Sequence, residues 1–365
     1  MTLLSVTGVC IEVGNTNPTQ TPWVVKPDSD QAAAPIDIHT SSGYTRSNPR
    51  QLTANYTYAI AATGTRFEIS LHVIQSFAYI NVTDMMIFVW PEKPFTYSMS
   101  VDELGNDILT VRFQSQNPLG QFHLTVLQHL TVYSINFTID PAKVGTYDEA
   151  SLLYKLYTKS AQYIESDNPE IVAKSKVIVG QETNPYLAAK KIQTFVVRHM
   201  KYDMSVLTPW NAETEGALFA LRSGKGVCKH YAALFTALAR AAGIPTADIW
   251  GSFSNPVDSG HSKHSWVHFY IPNYGWIPAD PTFEDSTGDN WFARLPQSWD
   301  IPVMSVNYLY EQAWWSGGRA QGAIPGQEPA TLLGLQVAEF PGATMIALVV
   351  LLPILLLIKT RRNRR

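Results

Sequence analysis

Cys228, His264 and Asp280 are the residues whose types and surroundings could carry covalent chemistry. Cys228 follows Gly224-Lys225-Gly226-Val227 and opens the alanine-rich run KHYAALFTALARAAG, closed by Gly243 and Pro245, which reads as a helix. A thiol at a helix N-terminus faces unsatisfied N–H groups and the positive end of the macrodipole. Both favour the thiolate, and the same N–H groups could hold an oxyanion. A lone cysteine there would say little. His264, however, opens a strand-like run and Asp280 ends the next, with Pro272-Asn273-Tyr274-Gly275 as a turn between them. Antiparallel pairing across that turn would bring the far ends together. The imidazole could then take the thiol proton while the carboxylate fixes its tautomer.

Other elements must hold these three in place. The spacing predicts helices after Tyr147, after Asn168-Pro169 and after Asn184-Pro185, the last two with a capping residue followed by proline. A loop over 201–216 and a short helix ALFALRSG precede the cysteine, and three strands, IPTADIWGSF, HSWVHFYI and GWIPAD, follow it. Further upstream, RFEISLHV, FAYINVT, MIFVW, DILTVRF and FHLTVLQHLTVYSINFTI alternate with period two, the pattern of an antiparallel β-domain resembling a sandwich. Asp102, Gly105, Asn106 and Asp107 form a turn in it.

The remaining polar residues weigh less. His261, His264 and His268 could suggest a metal, and His264 and His268 share a strand face. With no second thiolate and no clustered carboxylate nearby, neither metal nor cofactor is expected. His230 is expected on the helix surface lining the cleft, and His261 in an exposed loop. The acidic stretch Glu284, Asp285 and Asp289 reads as a solvated loop. Trp266 and Trp276 read as packing behind the site. Trp210, Tyr202 and Tyr231 are aromatic candidates for a second oxyanion donor, though core packing is the simpler role for each.

The chain has 365 residues, of which 45% are hydrophobic and 16% charged, enough for about two domains. A net charge of −3 gives no basic footprint, so no nucleic acid is expected as a partner. Two cysteines, Cys10 and Cys228, exclude a disulfide framework. Residues 340–358 contain no charge and would span roughly 28 Å as a helix, close to a hydrocarbon core. Five basic residues follow, so the chain preceding them is more acidic than the total suggests. By the positive-inside rule this tail is cytoplasmic and the rest extracytoplasmic, a single-pass cell-membrane protein anchored by its C-terminal helix. The ending also resembles the sorting signals of archaeal surface proteins. The N-terminus lacks a basic region and a full apolar core, and so reads as a possible remnant of an export signal.

The segment GKGVCKHYAALFTALARAAGIPTADIWGSF, followed by HSWVHFYIPNYGWIPADPT, resembles the core of the transglutaminase-like superfamily. The resemblance is close over 216–283 and looser from 147. It implies a papain-like α+β fold, with Cys228 as nucleophile, His264 as general base and acid, and Asp280 as the orienting carboxylate. Members of that superfamily crosslink glutamine to lysine, hydrolyse amide bonds, or have lost the triad.

The expected organisation is a partly disordered leader over 1–50, a β-rich domain over 51–146, a transglutaminase-like domain over 147–315, a linker over 316–339, a transmembrane helix over 340–358 and a basic tail over 359–365. The expected activity is thiol attack on a protein or peptide amide carbonyl through a thioester, as a cysteine protease, amidase or acyltransferase. The rival is a non-catalytic surface binding protein with a relic triad.

Overall fold

The computed structural model describes residues 23–25, 36–37, 40–207, 215–254, 261–296, 300–306, 313–321 and 336–339. The expected membrane helix over 340–358, the basic tail and Trp210 lie outside the described residues, as does most of the expected leader. Among the described residues no helix is long and apolar enough to cross a membrane.

The β-rich region contains β1 (Trp23–Val25), β2 (Tyr44–Ala62), β3 (Arg66–His72), β4 (Ile80–Trp90), β5 (Phe95–Val101), β6 (Asp107–Gln114) and β7 (Gly120–Phe137). Phe122, Leu124, Val126, Leu130 and Val132 of β7 are all buried, so the period of two sets one face inward. Across from it, Phe67 of β3 and Phe113 of β6 pack their rings on Phe122, with centroids 6.1 and 4.6 Å away. The two sheets therefore meet as a sandwich. The turn between β5 and β6 forms as expected: Asp102 Oδ1 accepts from the N–H groups of Leu104 and Asn106, and Gly105 takes φ +80°.

The α+β core follows. It comprises α1 (Leu152–Thr158), α2 (Pro169–Val179), α3 (Pro185–His199), β8 (Lys201–Tyr202), α4 (Ala217–Ser223), β9 (Lys225–Gly226), α5 (Cys228–Ala241), β10 (Thr246–Ser254), β11 (His261–Ile271), β12 (Gly275–Ala279) and α6 (Pro281–Thr287). Asn168 and Asn184 cap α2 and α3, each accepting from N–H groups of the first turn, with proline at the start of the helix. Helix α5 lies in the middle, packed against β10 and β11 on one side and α2, α3 and α4 on the other. Every residue from His230 to Arg240 is buried, which explains an alanine-rich sequence: small side chains let neighbours approach on all sides.

Several boundaries differ from the sequence reading. Residues 44–50 extend β2, and Ser42 N–H bonds Tyr274 O at 2.8 Å, so the end of the expected leader is part of the fold. The stretch after Pro281, whose acidic residues read as a solvated loop, holds α6, β13 (Arg294–Leu295) and β14 (Asp300–Val306). The last of these completes the sheet β12-β11-β10-β14. The expected linker contains β15 (Ala313–Ser316, its last residue), β16 (Gly318–Gln321) and β17 (Gln336–Glu339). β15 pairs with β3 in one sheet of the sandwich, and β16 pairs with β2 in the other. Only glycine suits the crossing point: Gly317 takes φ +87°, and a Cβ there would lie 2.4 Å from Arg66 O. Gly317 and Gly318 contribute to a linker-like composition, whereas here they make the crossing between two strands.

Candidate active site

The first turn of α5 is prepared by two glycines. Gly224 ends α4 in the left-handed conformation, at φ +63°. Gly226 is needed for closeness instead: a Cβ there would lie 2.4 Å from His230 Cβ. His230 is buried rather than on the cleft surface, and its Nδ1 accepts from Val227 N–H at 3.1 Å. That bond satisfies a buried amide just ahead of Cys228. Cys228 itself is a free, half-buried thiol at the start of the helix.

β11 and β12 pair antiparallel, with Val267 opposite Ala279, so His264 and Asp280 fall at the same end of the hairpin. His264 Nε2 lies 2.6 Å from Asp280 Oδ2, and both side chains are out of solvent, at 6% and 0% exposure. This leaves Nδ1 for the thiol of Cys228, which shares a hydrogen bond with the ring. The structure thus brings together the three residues singled out from the sequence.

Burial alone would push the Cys228 thiol up. The hydrogen bond and positive charge of His264, with a further bond from the Ser265 N–H, outweigh it, and the thiol lies below its ordinary value. Burial would likewise lower His264, but the charge and hydrogen bond of Asp280 hold it well above the ordinary imidazole value. Together these directions favour a thiolate–imidazolium pair, the reactive form of a nucleophilic cysteine.

Asp280 has a second task. Its Oδ1 accepts from Thr282 N–H at 2.9 Å and Phe283 N–H at 3.0 Å, capping α6. One carboxylate therefore orients the imidazole with one oxygen and is itself fixed through the other. The Asp-Pro-Thr sequence carried this signal, since Asn168-Pro169 and Asn184-Pro185 open helices in the same way. The acidic stretch is correspondingly not a plain solvated loop. Glu284 Oε2 accepts from Trp291 N–H and Gln193, while Asp285 Oδ2 accepts from Tyr231 O–H at 2.6 Å; Asp289 is exposed.

The aromatic candidates separate. Tyr231 is buried and committed to Asp285. Tyr202 is half exposed; burial raises its hydroxyl, and the charge of Cys228 adds to the effect. Trp266 stacks on His264 with centroids 5.7 Å apart, while Trp276 packs on Tyr157 and Tyr270 away from the thiol. Phe283 covers His264 at 4.6 Å. His268 sits on the same strand face as His264, and its Nε2 meets Tyr79 Oη at 2.9 Å. No group of three metal-type ligands occurs among the described residues.

Sequence reasoning did not find Asp248, Lys229 with Glu215, or the Ser265 amide. Asp248 is buried on β10, and burial pushes its carboxyl well up, although Arg240 opposes this. Its only sequence signal was a lone acid within an apolar strand. Lys229, next to Cys228, forms a largely buried ion pair with Glu215. A backbone donor such as Ser265 N–H leaves no trace in composition.

Residues 173–281 match the family model of the transglutaminase-like superfamily. An uncharacterized protein of Haemophilus influenzae is 31% identical over 146 residues, covering 34% of this chain and 38% of its own length. The protein-glutamine gamma-glutamyltransferase of Pseudomonas aeruginosa is 31% identical over 106 residues, 27% of this chain and 16% of its own length. The chain thus spans well under half the length of these relatives. A candidate cysteine protease from Cytophaga hutchinsonii shares the fold, with TM-score 0.52 at 15% identity over 82% of this chain and 94% of that one.

Proposed function

The chain carries a transglutaminase-like domain, and from that premise we propose that it is a thiol enzyme attacking amide carbonyls of proteins or peptides. The observation that carries this reading is the buried 2.6 Å contact of His264 Nε2 with Asp280 Oδ2, together with the hydrogen bond that the same ring shares with Cys228 at a helix N-terminus. In the proposed reaction, the Cys228 thiolate forms a C–S bond to the carbonyl carbon, and the carbonyl oxygen takes the negative charge. N–H groups at the start of α5 face that oxygen and stabilise it. The His264 imidazolium gives its proton to the amide nitrogen, the C–N bond breaks, and a thioester and a free amine result. His264, now neutral, takes a proton from the incoming nucleophile. That nucleophile attacks the thioester carbon, the C–S bond breaks, and the thiol returns.

Water is the proposed incoming nucleophile, because it needs no site of its own. The product is then a carboxylic acid and the activity a protease or amidase. Transfer to an amine is the second reading, favoured by the name of the Pseudomonas aeruginosa relative. The apolar stretch over 340–358 and the basic tail support a single-pass membrane protein with this domain outside the cytoplasm.

Incubating the purified full chain with a casein-like protein and a labelled primary amine separates the outcomes. Shortened fragments or released acid identify hydrolysis, and amine incorporated into protein identifies transfer. Neither product, together with a Cys228 that resists iodoacetamide in the folded chain, would leave the surface-binding alternative standing.

A further inference from the structure

The segment joining β3 to β4 leaves the sandwich and enters the core, and it is held in several places. Ile74 N–H donates to Gln128 Oε1 and Gln128 Nε2 donates back to Ile74 O, both at 2.9 Å in the buried interior. Val73 N–H bonds Asp107 O, Asp107 N–H bonds Gln75 Oε1, and Tyr133 N–H bonds Tyr79 O at 2.8 Å. Phe77 and Ile80 exchange both backbone bonds. These contacts fix the position of Tyr79, a side chain 1% exposed.

Tyr79 Oη lies 3.2 Å from Trp266 Nε1 and 2.9 Å from His268 Nε2. The indole N–H can only donate, so the hydroxyl accepts from it, and at 2.9 Å it can donate its own proton in a hydrogen bond to His268 Nε2. Phe77 stacks near-parallel on Tyr79 at 6.1 Å and meets His268 edge-on at 5.1 Å. Trp266 in turn is nearly parallel to His264, at 19° and 5.7 Å. His264, Trp266 and His268 alternate along one face of β11, so a contact at the middle residue reaches the first.

We propose that Tyr79 is a positioning residue for the active site: its hydroxyl accepts a hydrogen bond from the Trp266 indole N–H, donates one to His268 Nε2, and so fixes the ring against which His264 stands. The β-rich region then acts as part of the reactive unit rather than as a separate binding module. This rests on the thiol-enzyme reading above. The groups that titrate against His264 are Cys228 and Asp280. Tyr79 acts on the orientation of the imidazole relative to both, and touches no reacting atom.

The test uses the full chain and Tyr79→Phe, which keeps the ring and removes only the hydroxyl. The readouts are the pH dependence of iodoacetamide alkylation at Cys228, followed by peptide mass, and kcat and KM for the amide substrate. Tyr79→Phe is expected to lower kcat about tenfold with KM within about twofold, since small misplacements near reacting groups cost rate rather than binding. It is also expected to move the acid limb of alkylation upward. Phe77→Leu, which alters packing but keeps the hydroxyl, is expected to leave that limb in place. A folded Tyr79→Phe chain with wild-type kcat and alkylation profile overturns the proposal alone. A wild-type Cys228 that titrates as an ordinary thiol overturns the enzyme reading with it. Should Tyr79→Phe fail to fold, nitrogen NMR of the wild-type imidazoles decides: His268 protonated on Nδ1 supports the relay, and protonation on Nε2 overturns it.

Discussion

At its N-terminus α5 carries Cys228; at its C-terminal end it carries Arg240, 3% exposed. Both positions agree with the helix dipole, a thiolate at the positive end and a guanidinium at the negative end. The surroundings differ. Arg240 is answered by fixed acceptors, Thr246 O and Lys159 O, each at 2.9 Å. Burial lowers it to about 10, which still leaves it charged at neutral pH. Cys228 is answered by a partner that can itself gain and lose a proton. One end of the helix ties α5 to β10 and to the end of α1. At the other, the proton can move between the groups that hold the charge. At this helix the buried charge at one end shares its hydrogen bond with a group that can exchange the proton, and the charge at the other donates to backbone carbonyls that cannot.

The sharpest break of this comparison is Cys228→Ala, which should abolish turnover, on the order of 10⁴-fold or more, while the melting temperature stays close to wild type. Residual steady-state rate above a few per cent would place the chemistry elsewhere. Asp280→Asn should lower kcat/KM by roughly 10²–10⁴-fold and move the alkaline limb of the pH profile down, because the Asp280 charge is what raises His264. Asp280→Ala should in addition cost about 1 kcal/mol or more through the lost cap on α6, read by urea denaturation.

At the other end, Arg240→Met should cost about 3 kcal/mol of stability, as buried charge-assisted hydrogen bonds to backbone are lost. The rate per folded molecule should stay within a few-fold. A large kinetic effect with little loss of stability would erase the distinction between the two ends.

The wild-type pH profile of kcat/KM should be bell-shaped. Its acid limb should lie below the ordinary thiol range, where the Cys228 thiolate forms, and its alkaline limb above the ordinary imidazole value, where His264 loses its proton. The smallest effect is expected at Asp248, where burial pushes the carboxyl well above the ordinary carboxylate range and Oδ1 has no hydrogen-bond partner. Asp248→Asn should change stability by less than about 1 kcal/mol and activity less than about threefold. A larger loss would show that Asp248 is ionised against Arg240.

Much of the core was legible because its signals are local. Asn-Pro pairs mark the starts of α2 and α3, alternation marks β7, and the Asn273–Gly275 turn sets which ends of β11 and β12 meet. The same Asp-Pro signal at 280–281 was passed over in favour of composition, and α6 was missed. Non-local pairing was illegible. Nothing in the Gly317-containing stretch announces partners more than 240 residues earlier, and β14 looks irregular until β10 lies beside it. His230 was misplaced for a related reason: its burial depends on Gly226, whose lack of a side chain makes room for the ring.

The crossing at Gly317 also has a consequence in time. β2 spans 44–62, yet its partner β16 spans 318–321. During synthesis that part of the sheet edge stays unpaired until residues 318–321 have been made. Pairing over such a separation is slow, because loop closure comes before any reward from contacts. The long β2 edge is thus open to wrong partners for most of the chain's production. Covering that edge during the interval, by an excess of chaperone, should raise the yield of folded chain more than any improvement to the core around α5.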